Sequence, residues 1–232
     1  MTESQEPTAP TTDPSAEASP LWLQGRTAVV DAARGEHWRG EAPNYHLTDE
    51  IVPRERTRHH AAGSLEQIVE DLVRVFEMEV SHKNDPTTWV SMVSEQFRTR
   101  VNGGAWASSQ DLVDQGSYNV LIGESPYYSK DHSFESSHDT FHAALPGGFF
   151  WEVLEVFSGP PSISFSWRHW GKFTGAYHGV EPTGELVEMF GMSVARVSDD
   201  LKLLEVDHYY DSSQLLSPLA GGCPVTGVTS GH

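Results

Sequence analysis

The chain has 232 residues, enough for one good-sized domain with a sizeable buried core. Asp and Glu number 33 against 15 Lys and Arg, a formal net charge of −18, and a field of that sign argues against nucleic acid or an anionic membrane as partner. A single cysteine excludes an internal disulfide, no run approaches the ~20 apolar residues of a membrane span, and the N-terminus lacks the basic start and apolar core of a secretion signal; a cytoplasmic chain is expected.

Residues 1–20 are Ser, Thr, Pro, Ala and acid with almost nothing to bury, which predicts a disordered acidic tail. Residues 21–47 hold Trp22, Val29, Val30 and Trp38 among turn formers and close on Ala42-Pro43-Asn44-Tyr45; they read as an irregular arm laid over the domain. The domain proper is expected over 48–219, followed by a flexible tail over 220–232. Thr48 or Asp49 caps a first helix reaching about Ala62, with Pro53 in its early turns. Its Arg54, Arg56, Arg58, His59 and His60 read as a solvated basic face, with an anionic-substrate role as the alternative. Ser64 and Gln67 form a capping box for a helix over 65–82, where Leu65, Ile68, Leu72 and Phe76, flanked by Val69 and Val73, make a clear apolar stripe.

Residues 89–101 read as extended, 110–122 as a shorter helix, and 126–137 as a polar loop. From His138 the apolar period changes to two, predicting strands over 140–145, 149–157, 163–174, 186–197 and 203–210, and 215–219 as a closing turn. Helices first and then a run of antiparallel strands means α+β, with helices packed on one face of the sheet.

The strand over 163–174 is the most informative. Phe165, Trp167, His169 and Phe173 share one face; Arg168, Trp170 and Lys172 share the other. A mostly aromatic face carrying one histidine either packs on helices or lines a pocket. On the last strand, Asp207 sides with Glu205 and Tyr209, whereas His208 sides with Leu204, Val206 and Tyr210. The second face is the more apolar, which favours His208 over Asp207 as the inward residue. Arg168 has either a ligand carboxylate or Glu188 or Glu152 on a neighbouring strand as its partner.

The ordered series Trp167-Arg168-His169-Trp170-Gly171 with Gly175, then Gly179, Pro182-Thr183-Gly184, Gly191-Met192 and Tyr210-Asp211 resembles the SnoaL-like polyketide cyclases, of the ketosteroid-isomerase-like and nuclear-transport-factor-type cones. Ala42-Pro43-Asn44-Tyr45, Phe76-Glu77-Met78-Glu79 with His82-Lys83, and Gly116-x-Tyr118-Asn119 resemble more specifically the plant-type pathogen-related branch. The resemblance implies a curved antiparallel sheet wrapped around the N-terminal helices, an apolar pocket in the cone, and a homodimer formed through the outer sheet face, here Arg168, Trp170 and Lys172. In characterised cyclases one Asp serves as acid/base for ring closure, with no metal or cofactor. This chain has Asp207-His208 where many relatives carry an aromatic pair.

Such a cone supports proton abstraction beside a carbonyl, which needs a tuned base, a donor for the developing enolate, and walls that exclude water. The candidate bases are Asp207, Asp211, His169 and His208, and the candidate donors Tyr118, Tyr209 and Tyr210. His169 with Tyr210, aided by His208 or Asp207, is the catalytic expectation; Trp167, Phe173, Tyr118 and Phe165 are expected to hold the ligand. The competing reading of His169 is a hydrogen-bonded core histidine.

No metal is expected from the 12 histidines: there is no His-Glu-x-x-His, and His138-x-x-x-His142 falls where a loop runs into a strand, so the two rings do not converge. Cys223-Pro224 matches a short pattern of haem-responsive segments, where a thiolate ligates iron. The cofactor expectation is none, with haem as the minor alternative. The function expected is cofactor-free acid/base chemistry on a small apolar or aromatic carbonyl compound. Its competitor is a non-catalytic carrier of an aromatic or lipid-like ligand, which a pocket lacking converging titratable groups would favour.

Overall fold

The computed structural model describes residues 19–33, 38–123, 125, 127, 128 and 132–222, so residues 1–18, the rest of the expected tails and Cys223 lie outside the described residues. Among the described residues the chain forms seven α-helices and a six-stranded curved, unclosed sheet, an α+β architecture. No helix there is long and apolar enough to cross a membrane.

The expected arm contains a helix, α1 (Arg26–Ala32), which begins after Gly25 at φ 84°. Its Val29 is buried against Val75 and Met78, so the arm contributes to the core rather than lying loosely on it. Helix α2 (His46–Glu55) stops short of Ala62 because Arg56 turns extended (φ −68°, ψ 147°). From there the chain runs along a sheet edge. Thr57 N and Oγ1 and Arg58 N donate to the Glu152 carboxylate at 2.8, 3.0 and 3.1 Å, and Arg56 Nη2 reaches Glu70 at 2.8 Å. His60 Nε2 lies 2.9 Å from the Val153 carbonyl. The basic stretch read as a solvated face is therefore in part an ion-paired clamp on the sheet edge.

Helix α3 (Leu65–His82) follows the expected bounds, with Ser64 Oγ accepting from Gln67 N. Its apolar stripe is interrupted by three glutamates. Glu70 accepts from Arg56 and Arg74 and from Val153 N. Glu79 is fully buried and accepts from Val90 N (2.7 Å), Ser91 N (3.1 Å), Ser91 Oγ (2.6 Å) and Lys83 Nζ (3.3 Å). Glu77 makes no hydrogen bond to any described residue, and His169 Nε2 lies 3.7 Å from its Oε1.

After α3 come β1 (Arg98–Val101), β2 (Ala107–Ser108), α4 (Ser109–Gln115) and α5 (Ser117–Ile122). The single helix expected over 110–122 is broken at Gly116, whose φ of 90° suits glycine and not a helix. Helix α6 (Phe134–Ala144) replaces the end of the polar loop expected over 126–137 and the strand expected over 140–145. Ser133 caps it, and its buried face is Ser137, Phe141 and Ala144, too few apolar residues to display a helical period.

Strands β3 (Phe150–Ser158), β4 (Ser162–Lys172), β5 (Leu186–Val197) and β6 (Leu203–Tyr210) are the expected antiparallel series, closed by α7 (Ser213–Leu219) rather than a simple turn. The sheet order is β2-β1-β6-β5-β4-β3. β1 pairs with β6 in parallel (Arg98↔Glu205), so this one pairing departs from the antiparallel expectation.

On the outer face, Arg168 binds Glu152 (2.9 Å) and Glu188 (2.6 Å), and Trp170 Nε1 donates to Glu55 at 3.0 Å. The end of α2 and the clamp bury both Arg168 and Trp170, which removes them from the face expected to dimerise. Phe190, Met192 and Val194 of β5 with Tyr209 of β6 are instead the exposed apolar residues there.

Removing one partner of a buried ion pair strands the other, which typically costs about 3–5 kcal/mol. Glu79→Ala removes one partner of Lys83 Nζ, which also donates to the Thr88 carbonyl, and leaves Val90 N, Ser91 N and Ser91 Oγ without their acceptor. A loss of that order is expected in urea denaturation; an unchanged midpoint would show that the network contributes nothing.

Candidate functional site

Alternation along the sheet builds a cavity of about 460 Å³. Phe165, Trp167 and His169 of β4, Met189, Ser193 and Ala195 of β5, and Val206, His208 and Tyr210 of β6 all face it. Val73, Phe76, Glu77, Val80 and Ser81 of α3 form the opposite wall, with Tyr118 of α5 and His138 of α6 beside them. The arm completes the enclosure with Arg26, Asn44 and Tyr45.

His169 is placed on the concave face, its ring stacked on Phe149 at 4.7 Å and edge-on to Trp167 at 5.4 Å. Its Nδ1 is buried without a hydrogen-bond partner, and its Nε2 lies 3.7 Å from Glu77 Oε1. Burial pushes the imidazole down to about 3, against a smaller opposing pull from the Phe150 backbone. It is neutral near pH 7 and a weak proton acceptor.

Glu77 was not singled out as a site residue by the sequence. Its side chain keeps 41% of its surface accessible and lines the cavity, so it is only partly withdrawn from water. Burial pushes its pKa up to about 7, with Arg26 and Arg74 opposing. An acid among Val73, Phe76 and Val80 on one helix face was the available signal.

Tyr118 stacks on Phe141 at 4.4 Å, and its hydroxyl makes no hydrogen bond to any described residue. Burial and then Glu77 raise its pKa, so it stays a proton donor. His208 faces the cavity, neutral because burial pushes it down to about 4.

The remaining expectations fall elsewhere. Asp207 points to the outer face, where Arg100 grips it with Nη2 at 3.0 Å from Oδ2, so it does not reach the cavity. Tyr210 lines the cavity, but its hydroxyl donates to the Leu121 carbonyl and is not free to serve a ligand. Phe173 lies past the end of β4, fully buried in the core and outside the cavity wall. Phe165 and Trp167 form the wall itself.

The histidine pair is also corrected. On helix α6, His138 and His142 are i,i+4 neighbours whose rings stack at 4.5 Å, with His82 edge-on to His138 at 6.4 Å. Burial pushes His82 and His138 down to about 4. Among the described residues no group of three or more His, Cys, Asp or Glu is arranged to hold a metal ion.

Comparison with known proteins adds the following. No family model matches the chain. A pathogen-related protein of Hordeum vulgare is 34% identical over 213 residues, spanning 84% of this chain and 91% of the barley protein. Among solved structures, a Jannaschia protein described as a SnoaL-like polyketide cyclase is 12% identical, with 72% of this chain and 99% of that chain covered and a TM-score of 0.37. An NTF2-like protein from Burkholderia thailandensis is 14% identical, with 66% and 95% covered and a TM-score of 0.35. At such scores these structures say nothing of activity.

Proposed function

Proceeding from the fact that the chain belongs to the family of the barley pathogen-related protein, we propose that its cavity binds a small apolar carbonyl compound and performs cofactor-free acid/base chemistry on it. The observation that carries this reading is Glu77. Glu70 and Glu79 on the same helix accept hydrogen bonds from charged and polar partners, whereas Glu77 accepts none from a described residue, faces the cavity, and has its pKa pushed by burial to about 7 against Arg26 and Arg74. A general base is most effective with a pKa near the working pH, so Glu77 rather than His169 takes the proton.

The step is a proton transfer. Glu77 removes a proton from the carbon beside the ligand carbonyl, the C–H electron pair moves toward the carbonyl oxygen, and the Glu77 proton is then returned to the same or a neighbouring carbon. Tyr118, with its free hydroxyl, is placed to donate to the developing oxyanion. His169, neutral and 3.7 Å from Glu77, fills the wall without competing for the proton. The convergence of Glu77, Tyr118, His169 and His208 on one largely apolar cavity favours this reading over a carrier. Isomerisation and carbon–carbon ring closure both begin with this step, and either is a polyketide-cyclase-type outcome.

β-Tetralone is an enolisable ketone that such a cavity accommodates. The protein is expected to accelerate exchange of its α-protons for deuterium, followed by NMR, and Glu77→Gln is expected to lower the catalysed rate ~10²–10⁴-fold. Full exchange activity in Glu77→Gln would refute the base assignment, and no acceleration by the wild type would return the cavity to a carrier.

We further infer a homodimer, formed through Phe190, Met192, Val194 and Tyr209 in place of the covered Arg168 and Trp170. Four adjacent exposed apolar side chains on one sheet face are the observation behind it. Light scattering at micromolar concentration is expected to give twice the chain mass, and Met192→Lys to reduce it; a monomeric wild type contradicts the inference.

A further inference from the structure

Trp167, Ser193 and His208 form a hydrogen-bonded line along the cavity wall. Trp167 Nε1 lies 2.8 Å from Ser193 Oγ, which in turn lies 2.9 Å from His208 Nδ1. An indole N–H only donates, so Ser193 Oγ accepts from Trp167. Ser193 Oγ has no other hydrogen-bond partner among the described residues, so the pairing that satisfies its one hydroxyl proton is donation to His208 Nδ1, with Nδ1 the bare nitrogen. A neutral imidazole carries a single ring proton, and here it falls on Nε2.

Three features hold this arrangement. Ser193 is buried, so water does not compete for its hydroxyl. Gly191 lets the indole lie flat across β5: a Cβ there would meet the Trp167 ring at 2.3 Å. Asp207, the acidic neighbour, is turned to the other face and engaged by Arg100, so it offers His208 no second partner. Burial keeps the His208 ring neutral, and its Nε2 makes no hydrogen bond to any described residue while the ring forms part of the cavity wall.

We propose that Trp167 and Ser193 fix His208 as its Nε2–H tautomer, and that this N–H donates to the carbonyl oxygen of the ligand bound in the cavity. The proposal deepens the acid/base reading and rests on it for the ligand. His208 is then a catalytic residue, a neutral electrophile that stabilises the oxyanion without giving up its proton. Ser193 and Trp167 are positioning residues that act through it. During the step the C–H bond breaks to Glu77, the electron pair settles on the carbonyl oxygen, and the Nε2–H bond stays intact.

The test is a two-bond proton–nitrogen correlation spectrum of the full chain with labelled histidine, His208 being assigned by its loss in His208→Phe. His208 is expected to show a bare Nδ1 and a protonated Nε2, and Ser193→Ala to release it into a mixture of tautomers. A protonated Nδ1 in the wild type overturns the proposal, and the assignment through His208→Phe is accepted only where the other histidine signals stay in place. In the infrared, the carbonyl band of bound β-tetralone is expected to move to lower frequency in the wild type and to recover part of that shift in His208→Phe. An identical band in both proteins overturns the contact. Failure of the underlying reading is distinguishable: Glu77→Gln would then exchange the ketone normally while the His208 tautomer stayed as described.

Discussion

A carboxylate withdrawn from water must be answered by hydrogen bonds or opposite charge, or it takes up a proton. Helix α3 places three glutamates where this constraint applies, and the surrounding chain meets it in two places. Glu79 gathers Lys83, Ser91 and two backbone N–H groups at the end of α3 where the chain turns back toward the sheet. Glu70 gathers Arg56, Arg74 and the edge of β3, and so joins the clamp over residues 56–60 to the sheet. With both ends of α3 pinned, the middle of the helix is held against the open concave face, and Glu77 accepts no hydrogen bond from a described residue, with Arg26 and Arg74 only partly offsetting its burial.

The sheet supplies the matching half. Because side chains alternate, the same strands that bury Arg168 between Glu152 and Glu188 on the outside turn Trp167 and His169 inward. Strong ion pairing is thus confined to the convex face and the helix ends, while the concave face keeps neutral polar groups on aromatic walls. His169, His208, Tyr118 and Glu77 all have their pKa values displaced toward the neutral form, and burial is the largest cause in each. Aromatic walls of this kind strengthen any hydrogen bond made to a developing oxyanion, and Arg26 and Arg74 on the helical side add positive charge near it.

What the sequence made legible follows from how local each signal is. Strands β3 to β6 carry enough alternation to be readable despite the bulges of β3 between Val153 and Ser158, as was the inward turn of His169 and of His208 relative to Asp207. Helix α6 was not readable, since only Ser137, Phe141 and Ala144 mark its buried face and two of those are small. The role of Arg56 as a clamp and the burial of Trp170 depend on contacts with residues far along the chain. So does the engagement of the Tyr210 hydroxyl by the Leu121 carbonyl. Glu77 was visible only as an acid within an apolar stripe, and what sets it apart from Glu70 and Glu79 is the lack of partners, which no local pattern encodes.

The central claim is that Glu77 is the unanswered carboxylate, and the most direct measurement is its own titration by carboxyl-carbon NMR, assigned with Glu77→Gln. Burial disfavours the anion, so the sign is upward: the resonance is expected to titrate at about 7, well above the ordinary 4.5 of a glutamate. A midpoint at or below 4.5 would mean that Glu77 is solvated or paired in solution, and would contradict the account.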